Sequence, residues 1–241
     1  MIKTMELGDR MKAYERVSDW RLSPKSWVII RVDGRAFHSY LRRARKPFDD
    51  DVIRAMQEAT WRTAKDMHGI KLSYTQSDEA SFAISTTDSI KGEDWLGYRY
   101  SKLVSLTASA FTVHFNQAYP RGGAQFDSRA FSIPETEVGN YFVWRQKDWE
   151  RNSLIMLSRA HFSHKELVGK KTADMHEMLW RAGINWSDLP AVQKTGTFFV
   201  ARDPTPHCER WLYDDVTAHL QPVTIEELSP ITLSAAIEHS I

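Results

Sequence analysis

The sequence predicts an α+β fold in which a split βαβ (ferredoxin-like) arrangement forms an antiparallel sheet covered by helices on one face. Short β-branched or mostly apolar runs, typical of strands, occur at residues 27–32, 71–76, 80–85, 125–133 and 196–201. Longer segments with apolar residues at helical spacing occur at residues 50–68, 95–116, 135–162 and 172–182. The order is strand, helix, hairpin, helix, strand, then helices, which is the order of a split βαβ fold.

The first strand and the helix after it have clear boundary residues. The strand is almost wholly apolar, so we expect it to be buried, and it ends at the turn dipeptide Asp33-Gly34. Asp49 or Asp50 can cap the start of the helix, and Gly69 can end it. Asp33 is therefore predicted to lie at the end of a buried strand.

The second and third strands form a predicted hairpin with a polar tip. Ser77, Asp78 and Glu79 lie between two strand-like runs and are too polar for a core strand. In the helix that follows, Arg99 and Lys102 are three residues apart and share a face. The hairpin tip and this helix face are candidates for chemistry.

The last helices and the C-terminal part complete the prediction. In the helix at residues 135–162, Arg145, Asp148, Trp149 and Asn152 form one stripe. The helix at residues 172–182 is capped by Thr172 and stopped by Gly183. Beyond Asp203 the chain contains four prolines and is expected to wrap the surface.

Composition limits the classes of protein. With 241 residues, 42% hydrophobic and 26% charged, the chain suits one large domain or one domain with an appendage. No apolar run reaches the roughly 18 residues of a membrane span, and the charged N-terminus lacks a signal-peptide core. The single Cys208 excludes an internal disulfide and a cysteine-based zinc cluster, so we expect a reducing, cytoplasmic setting.

The charge is unevenly distributed, although the total is only +1. Residues 1–46 contain 12 Lys or Arg and 5 Asp or Glu, whereas residues 203–241 contain 1 and 7. A basic face can bind a polyanion locally while the acidic tail keeps the total near zero. The alternative is that this uneven distribution of charge arose by chance.

Asp33 and Asp78 are the strongest candidates for chemistry. Two carboxylates brought together at strand ends repel each other unless a cation joins them. Two magnesium ions held there suit in-line displacement at a phosphorus atom. The alternative is an ordinary Asp-Gly turn and a solvated Asp78.

Basic residues near predicted element ends suit the binding of a triphosphate, although ordinary surface charge explains any one of them. They are Arg35, Lys46, Arg99, Lys102 and Arg129. His38 alone indicates no chemistry. No Ser/His/Asp order, Walker loop or Gly-rich dinucleotide fingerprint is present.

Six motifs together resemble one family. They are R-V-D-G-R-A-F-H (31–38), K-P-F-D (46–49), Y-T-Q-S-D-E-A-S-F (74–82), R-Y-S-K (99–102), F-D-S-R (126–129) and W-R-Q-K-D (144–148). In this order and spacing they resemble the tRNA-His guanylyltransferase family and its Thg1-like relatives, from about residue 10 to residue 202. The resemblance implies a polymerase-palm-like catalytic domain at residues 1–202, with residues 203–241 as a C-terminal surface-wrapping extension.

The resemblance also implies an activity: metal-dependent 3′→5′ addition of nucleotides to the 5′ end of tRNA. A nucleoside triphosphate first activates the tRNA 5′-monophosphate, and the 3′-hydroxyl of an incoming nucleotide then attacks the activated phosphate. The implied cofactor is Mg²⁺, two ions per active site, and the substrates are ATP and GTP or other nucleoside triphosphates. The implied partner is a 5′-truncated tRNA or tRNA-His, and family members are typically homotetramers.

Individual roles follow from the matched positions. Asp33 and Asp78 match the side-chain metal ligands, Gly34 a backbone-carbonyl ligand, and Glu79 an acidic neighbour predicted to be catalytic with the two aspartates. The positions matching nucleotide contacts are His38, Lys46, Asp49, Ser77, Arg99, Lys102, Arg129 and Asn152.

One departure favours the bacterial and archaeal Thg1-like branch, whose members repair truncated tRNA 5′ ends on a template. After W-R-Q-x-D the eukaryotic enzymes carry His-Ile-Asn-Asn, where this chain has Glu150, Arg151, Asn152 and Ser153. A negative charge at residue 150 is unfavourable beside a phosphate unless Arg145 or Arg151 neutralises it. The alternatives are a tRNA-His guanylyltransferase, a non-catalytic tRNA-binding module and a palm-fold nucleotide cyclase.

Overall fold

The computed structural model describes residues 6–87 and 92–200, and its strands form one antiparallel sheet. The strands are β1 (Trp27–Gly34), β2 (Ile70–Gln76), β3 (Glu79–Ile84), β4 (Phe126–Ile133) and β5 (Thr197–Val200). Their order across the sheet is β4-β1-β3-β2-β5, and every neighbouring pair is antiparallel. The end of β1 and the start of β3 are therefore adjacent at the centre of the sheet.

Helices connect and cover these strands. They are α1 (Leu7–Arg16), α2 (Phe37–Tyr40), α3 (Asp50–Lys65), α4 (Tyr100–Ala118), α5 (Glu135–His161), α6 (His164–Leu167), α7 (Thr172–Arg181) and α8 (Ala191–Thr195), with 3₁₀ turns at Leu41–Arg43, Trp95–Tyr98 and Trp186–Asp188. Helix α3 joins β1 to β2 and α4 joins β3 to β4, so the βαββαβ order confirms the split βαβ prediction. Within the described residues, no helix is long and apolar enough to span a bilayer.

Both faces of the sheet are covered, so the expectation of helices on one face is wrong. Val28, Ile30 and Val32 of β1 pack with α3 and α4, whereas Trp27 and Ile29 pack with α5. Side chains alternate between the faces of a strand, and a strand buried on both faces needs an apolar residue at nearly every position. The unbroken apolar run at the start of β1 is the sequence signal for two covered faces.

The predicted helix at residues 95–116 is interrupted. A 3₁₀ turn precedes α4, with positive φ at Leu96 (55°) and Tyr98 (49°) and an extended Arg99. Tyr98 is 1% exposed, and its hydroxyl donates to the Ser26 carbonyl (3.0 Å). We attribute the interruption to this tertiary contact, which outweighs the helical propensity of the segment.

The strand and helix boundaries refine the other predictions. Asp33 and Gly34 belong to β1 instead of forming the turn after it, and Asp49 is confirmed as the cap of α3. Helix α3 ends at Lys65, four residues before Gly69, whose positive φ (77°) places it at the entry to β2. The predicted C-terminal extension, residues 203–241, lies outside the described residues.

The last long helix has a different cap from the predicted one. Thr172 is the first residue of α7, and the N-cap is Lys171, whose backbone N–H donates to Asp174 (2.8 Å). An acidic side chain in the first turn satisfies a free N–H group as well as a threonine cap does.

Candidate active site

Asp33 and Asp78 lie side by side where strand β1 ends and strand β3 begins. The N–H of Gly34 donates to the carbonyl of Asp78 (3.0 Å), and Asp33 is paired in register with Glu79. Burial, together with the nearby charge of Asp33, raises the pKa of Asp78. Neither aspartate has an ion pair with a basic side chain in residues 6–87 and 92–200. In that part of the chain, these two adjacent carboxylates therefore lack a compensating cation.

A two-residue turn presents Asp78. Strand β2 ends at Gln76 and β3 begins at Glu79, so Ser77 and Asp78 form the turn. Ser77 has positive φ (50°), and its hydroxyl donates to Asp78 Oδ1 (3.0 Å). This contact orients the carboxylate, leaving Oδ2 for another partner.

Glu79 is the first residue of strand β3, whereas it was predicted to lie at the hairpin tip. It is 7% exposed, and its two oxygens accept from Arg145 Nε (2.7 Å) and Nη2 (3.0 Å). Arg31 Nε lies 3.8 Å from Glu79 Oε2. Burial raises the pKa of Glu79, and the two arginines oppose that shift. Glu79 is thus occupied by arginine. Of the three residues predicted to be catalytic, Asp33 and Asp78 have no ion pair within the described residues.

The residues fit a magnesium site built on two carboxylates. Magnesium usually binds one or two protein carboxylates and completes its shell with phosphates and water. Accordingly, no group of three His, Cys, Asp or Glu side chains is needed, and none occurs among the described residues. At Gly34, an added Cβ would lie 2.3 Å from Phe37 Cδ2, so glycine is required for the backbone to pass this close to the Phe37 ring.

An open pocket adjoins the turn at Ser77. Its polar lining includes Lys46, Asp49 and Ser77, all three predicted to contact nucleotide. Its apolar wall includes Phe48 and Trp149, whose rings meet edge-to-face with centroids 6.2 Å apart. A pocket with a charged side and an aromatic side suits a ligand with phosphates and a planar base.

Asp49 has a structural task in addition to lining this pocket. Its side chain accepts from the backbone N–H groups of Arg45 (2.9 Å), Asp51 (3.0 Å) and Val52 (3.4 Å). Burial acts to raise its pKa, but these three donors outweigh burial and the pKa lies below its ordinary value. The side chain therefore fixes the loop that carries Lys46.

The remaining predicted nucleotide contacts do not line this pocket. His38, Lys102 and Arg129 are exposed on α2, α4 and the edge strand β4. Arg99 forms an ion pair with Asp19 (3.3 Å). Asn152 on α5 also lies outside the pocket lining, and its Nδ2 donates to Asp148 Oδ2 (3.4 Å).

Some residues of the site were not predicted. Gln76 lines the pocket, and its Oε1 atom is buried without a hydrogen-bond partner in the described residues. Phe48 and Trp149 were also not predicted as pocket residues. Arg31 had a usable signal, because an arginine in an otherwise apolar buried strand indicates an internal carboxylate partner.

Comparisons with known proteins agree on one family. Residues 8–134 match the family described as "Thg1: tRNAHis guanylyltransferase". The tRNA(His) guanylyltransferase of Schizosaccharomyces pombe is 31% identical over 215 residues, covering 80% of this chain and 79% of that protein.

Two solved structures of a bacterial tRNA(His) guanylyltransferase (Thg1)-like protein are also similar. The complex with ATP is 40% identical, with a TM-score of 0.78, and covers 81% of this chain and 86% of that chain. The complex with GTP is 38% identical, with a TM-score of 0.73, and covers 80% and 84%. The chain therefore belongs to the tRNA-His guanylyltransferase (Thg1) family and is a nucleotidyltransferase.

Proposed function

We propose that this chain is a metal-dependent 3′→5′ nucleotidyltransferase that repairs the 5′ end of truncated tRNA on a template. The observation that carries the proposal is the adjacency of Asp33 and Asp78 beside the pocket that contains Lys46. The pocket suits a nucleoside triphosphate, and similar proteins are solved with ATP and with GTP. We place the catalytic unit at residues 1–202, with the palm-like sheet as its scaffold and residues 203–241 as an extension.

Activation of the tRNA is the first step. A 5′-phosphate oxygen of the tRNA attacks the α-phosphorus of ATP or GTP, and pyrophosphate leaves. Asp33, Asp78 and the carbonyl of Gly34 would hold two Mg²⁺ ions, which supply charge neutralisation at the reacting phosphates. Lys46 and Ser77, on the polar side of the pocket, bind the triphosphate and orient it.

Nucleotide addition is the second step. The 3′-hydroxyl of the incoming nucleotide attacks the activated 5′-phosphate, a phosphodiester bond forms, and the activating mononucleotide leaves. Lys102, Arg99, Arg129, His38 and Asn152 would contact the nucleotides in this step, and Glu79, clamped by Arg145, supports Asp78 from the adjacent position. As in the family, we expect a homotetramer to bind the tRNA.

A narrower function, tRNA-His guanylyltransferase, is favoured by the names of the matching family and of the Schizosaccharomyces pombe relative. Glu150, which stands where the eukaryotic enzymes carry histidine, favours template-dependent repair instead. The carboxylate pair is required by both functions and does not distinguish them.

Truncated tRNAs that differ only in the base opposite the first missing position distinguish these two functions. Incubation with Mg²⁺ and each labelled nucleotide should extend the 5′ end with the Watson–Crick partner and stop when the stem is complete. Guanylate addition opposite every base would support the narrower function. Absence of 5′ growth with all substrates would disprove both.

A further inference from the structure

Two loops beside Asp33 are joined into one rigid surface. The N–H of Arg35 donates to the Gln125 carbonyl (2.9 Å), and its Nη1 donates to Gln125 Oε1 (2.8 Å). The hydroxyl of Tyr40 donates to the Gly122 carbonyl (2.9 Å). Arg121 donates to the Tyr40 carbonyl and lies over the Tyr40 ring, 4.6 Å from its centroid. These contacts connect the loop after β1 to the loop before β4.

This surface is strongly basic. Residues 34–43 and 119–126 contain four Arg and no Lys, Asp or Glu. Arg45 and Lys46, which follow, line the nucleotide pocket instead. Arg45 is paired with Asp51 (2.9 Å), an acid contributed by α3. Arg35 and Arg121 donate to the neutral acceptors Gln125 Oε1 and the Tyr40 carbonyl, and neither has an acidic partner within the described residues. Arg42 and Arg43 are exposed and have neither an ion pair nor a hydrogen bond within residues 6–87 and 92–200.

The 3₁₀ turn at Leu41–Arg43 separates this surface from the nucleotide pocket. Leu41 and Ala44, three residues apart, share one side of the turn, because side chains at i and i+3 eclipse in a 3₁₀ helix. Both line the pocket. Arg42 and Arg43 occupy the other sides and point to solvent, as their exposure shows. We call Arg35, Arg42, Arg43 and Arg121 the arginine platform.

We infer that the arginine platform binds the phosphate backbone of the RNA whose 5′ end enters the Asp33–Asp78 site. The triphosphate is proposed to bind in the pocket, on the inner side of this turn. The arginines on its outer side are therefore available for another polyanion. Arginine forks bind phosphates in a bidentate manner, and double-stranded RNA is recognised mainly through phosphates and 2′-hydroxyls. The platform continues directly from β1, so RNA held there lies beside the carboxylates. This assignment rests on the proposed function for the identity of the RNA.

The test compares Arg42→Glu/Arg43→Glu with wild type. A fluorescent 5′-truncated tRNA, titrated at several salt concentrations, should bind about 10-fold or more weakly to the variant, with a salt slope smaller by about one per lost contact. ATP affinity, measured by calorimetry, should be unchanged, and so should the melting temperature, because both side chains lack internal partners. Arg42→Lys/Arg43→Lys should restore most of the tRNA affinity.

Arg159→Glu/Lys165→Glu is the matched control, since it makes the same charge change at exposed positions of α5 and α6 that have no ion pair among the described residues. It should bind tRNA nearly as wild type does. Equal losses in both pairs, or an unchanged salt slope in the Arg42/Arg43 pair, would overturn the inference. Loss of ATP affinity would assign these arginines to the triphosphate instead. Competition by polyglutamate as effective as by tRNA would indicate an acidic protein partner and would also overturn it.

Binding and catalysis are measured separately. If tRNA affinity falls as expected but no nucleotide is ever added, the proposed function fails and the RNA surface stands. If nucleotides are added at unchanged tRNA affinity, the surface assignment fails and the proposed function stands.

Discussion

Arg145 binds both carboxylate oxygens of Glu79, with Nε to Oε1 at 2.7 Å and Nη2 to Oε2 at 3.0 Å. The same Nη2 lies 3.0 Å from Asp148 Oδ2, and the guanidinium lies over the Trp144 ring, 4.4 Å from its centroid. Glu79 follows Asp78 directly and pairs in register with Asp33. The long helix α5 is therefore connected to the carboxylate end of the sheet through one buried ion pair.

Arg145→Met should destabilise the fold by roughly 3–5 kcal/mol, because it removes both hydrogen bonds to the buried Glu79 carboxylate and leaves it only Arg31, at 3.8 Å. The double variant Glu79→Gln/Arg145→Met should lose less unfolding free energy than the two single variants lose together, because the glutamine carries no charge. Urea unfolding of the four proteins of this cycle measures the coupling. Additive effects would show that the pair contributes no interaction energy.

Asp33→Ala or Asp78→Ala should lower the rate of nucleotide addition by about 10³-fold or more, through lost metal coordination and charge stabilisation. Folding should survive, because the two carboxylates repel each other in the absence of metal. Single-turnover assays across a range of Mg²⁺ concentrations measure the loss. Asp66→Ala is the control, since Asp66 is an exposed carboxylate at the end of α3 whose only ion-pair partner among the described residues is His114 (4.0 Å). Equal losses in the control would refute the site.

Asp49→Ala should lower the free energy of unfolding by about 1 kcal/mol, because the cap of α3 is lost. Asp49→Asn should retain most of that stability, since asparagine is also a good cap. The pKa of Asp49 lies below its ordinary value, so its ionised form stabilises the fold above the ordinary carboxyl pKa. That contribution is lost as the pH falls through the folded-state pKa. Thermal melts of the three proteins between pH 2 and pH 7 test it, and an identical pH dependence in Asp49→Ala would disprove it.

Lys46→Ala should weaken ATP binding by about 10-fold, the value expected for one charge-assisted hydrogen bond. Lys46 lines the pocket and has an amine-to-carbonyl contact with Leu41 at 3.5 Å, so it is free to move to a phosphate. Lys102→Ala should also weaken ATP binding more than tRNA binding. Calorimetry with ATP and anisotropy with tRNA separate the two ligands. Intact ATP affinity with lost tRNA affinity would place that lysine in the RNA groove.

The sequence predicted the sheet elements well because strand β1, the hairpin and the α3 cap depend on local patterns. It failed where long-range contacts decide the structure. The interruption at Leu96 depends on buried Tyr98 and its bond to Ser26, and the burial of Glu79 depends on Arg145, which lies 66 residues away. Phe48 and Trp149 meet only in the folded chain, so their shared pocket wall has no signature in either segment.

The surroundings of Glu150 bear on how the incoming nucleotide is selected. Gln146 Nε2 donates to Glu150 Oε1 (3.0 Å), and burial together with the charge of Glu150 raises the pKa of Tyr74. Arg145 and Arg151 both pair with Asp148. Among the described residues, neither arginine neutralises Glu150, so its charge remains on the side of α5 near β2.

Glu150→His should therefore relax template dependence, and this is the most specific consequence of the repair function. An ionised carboxylate only accepts hydrogen bonds, whereas an imidazole can donate one. In the wild type, nucleotide selection is then left to pairing with the opposite strand of the acceptor stem. Guanylate incorporation opposite adenosine, relative to the Watson–Crick partner, should rise in Glu150→His and stay at the wild-type level in Glu150→Gln. If both variants keep wild-type selectivity on tRNAs that differ at that base, Glu150 is a helix surface residue without a role in selection.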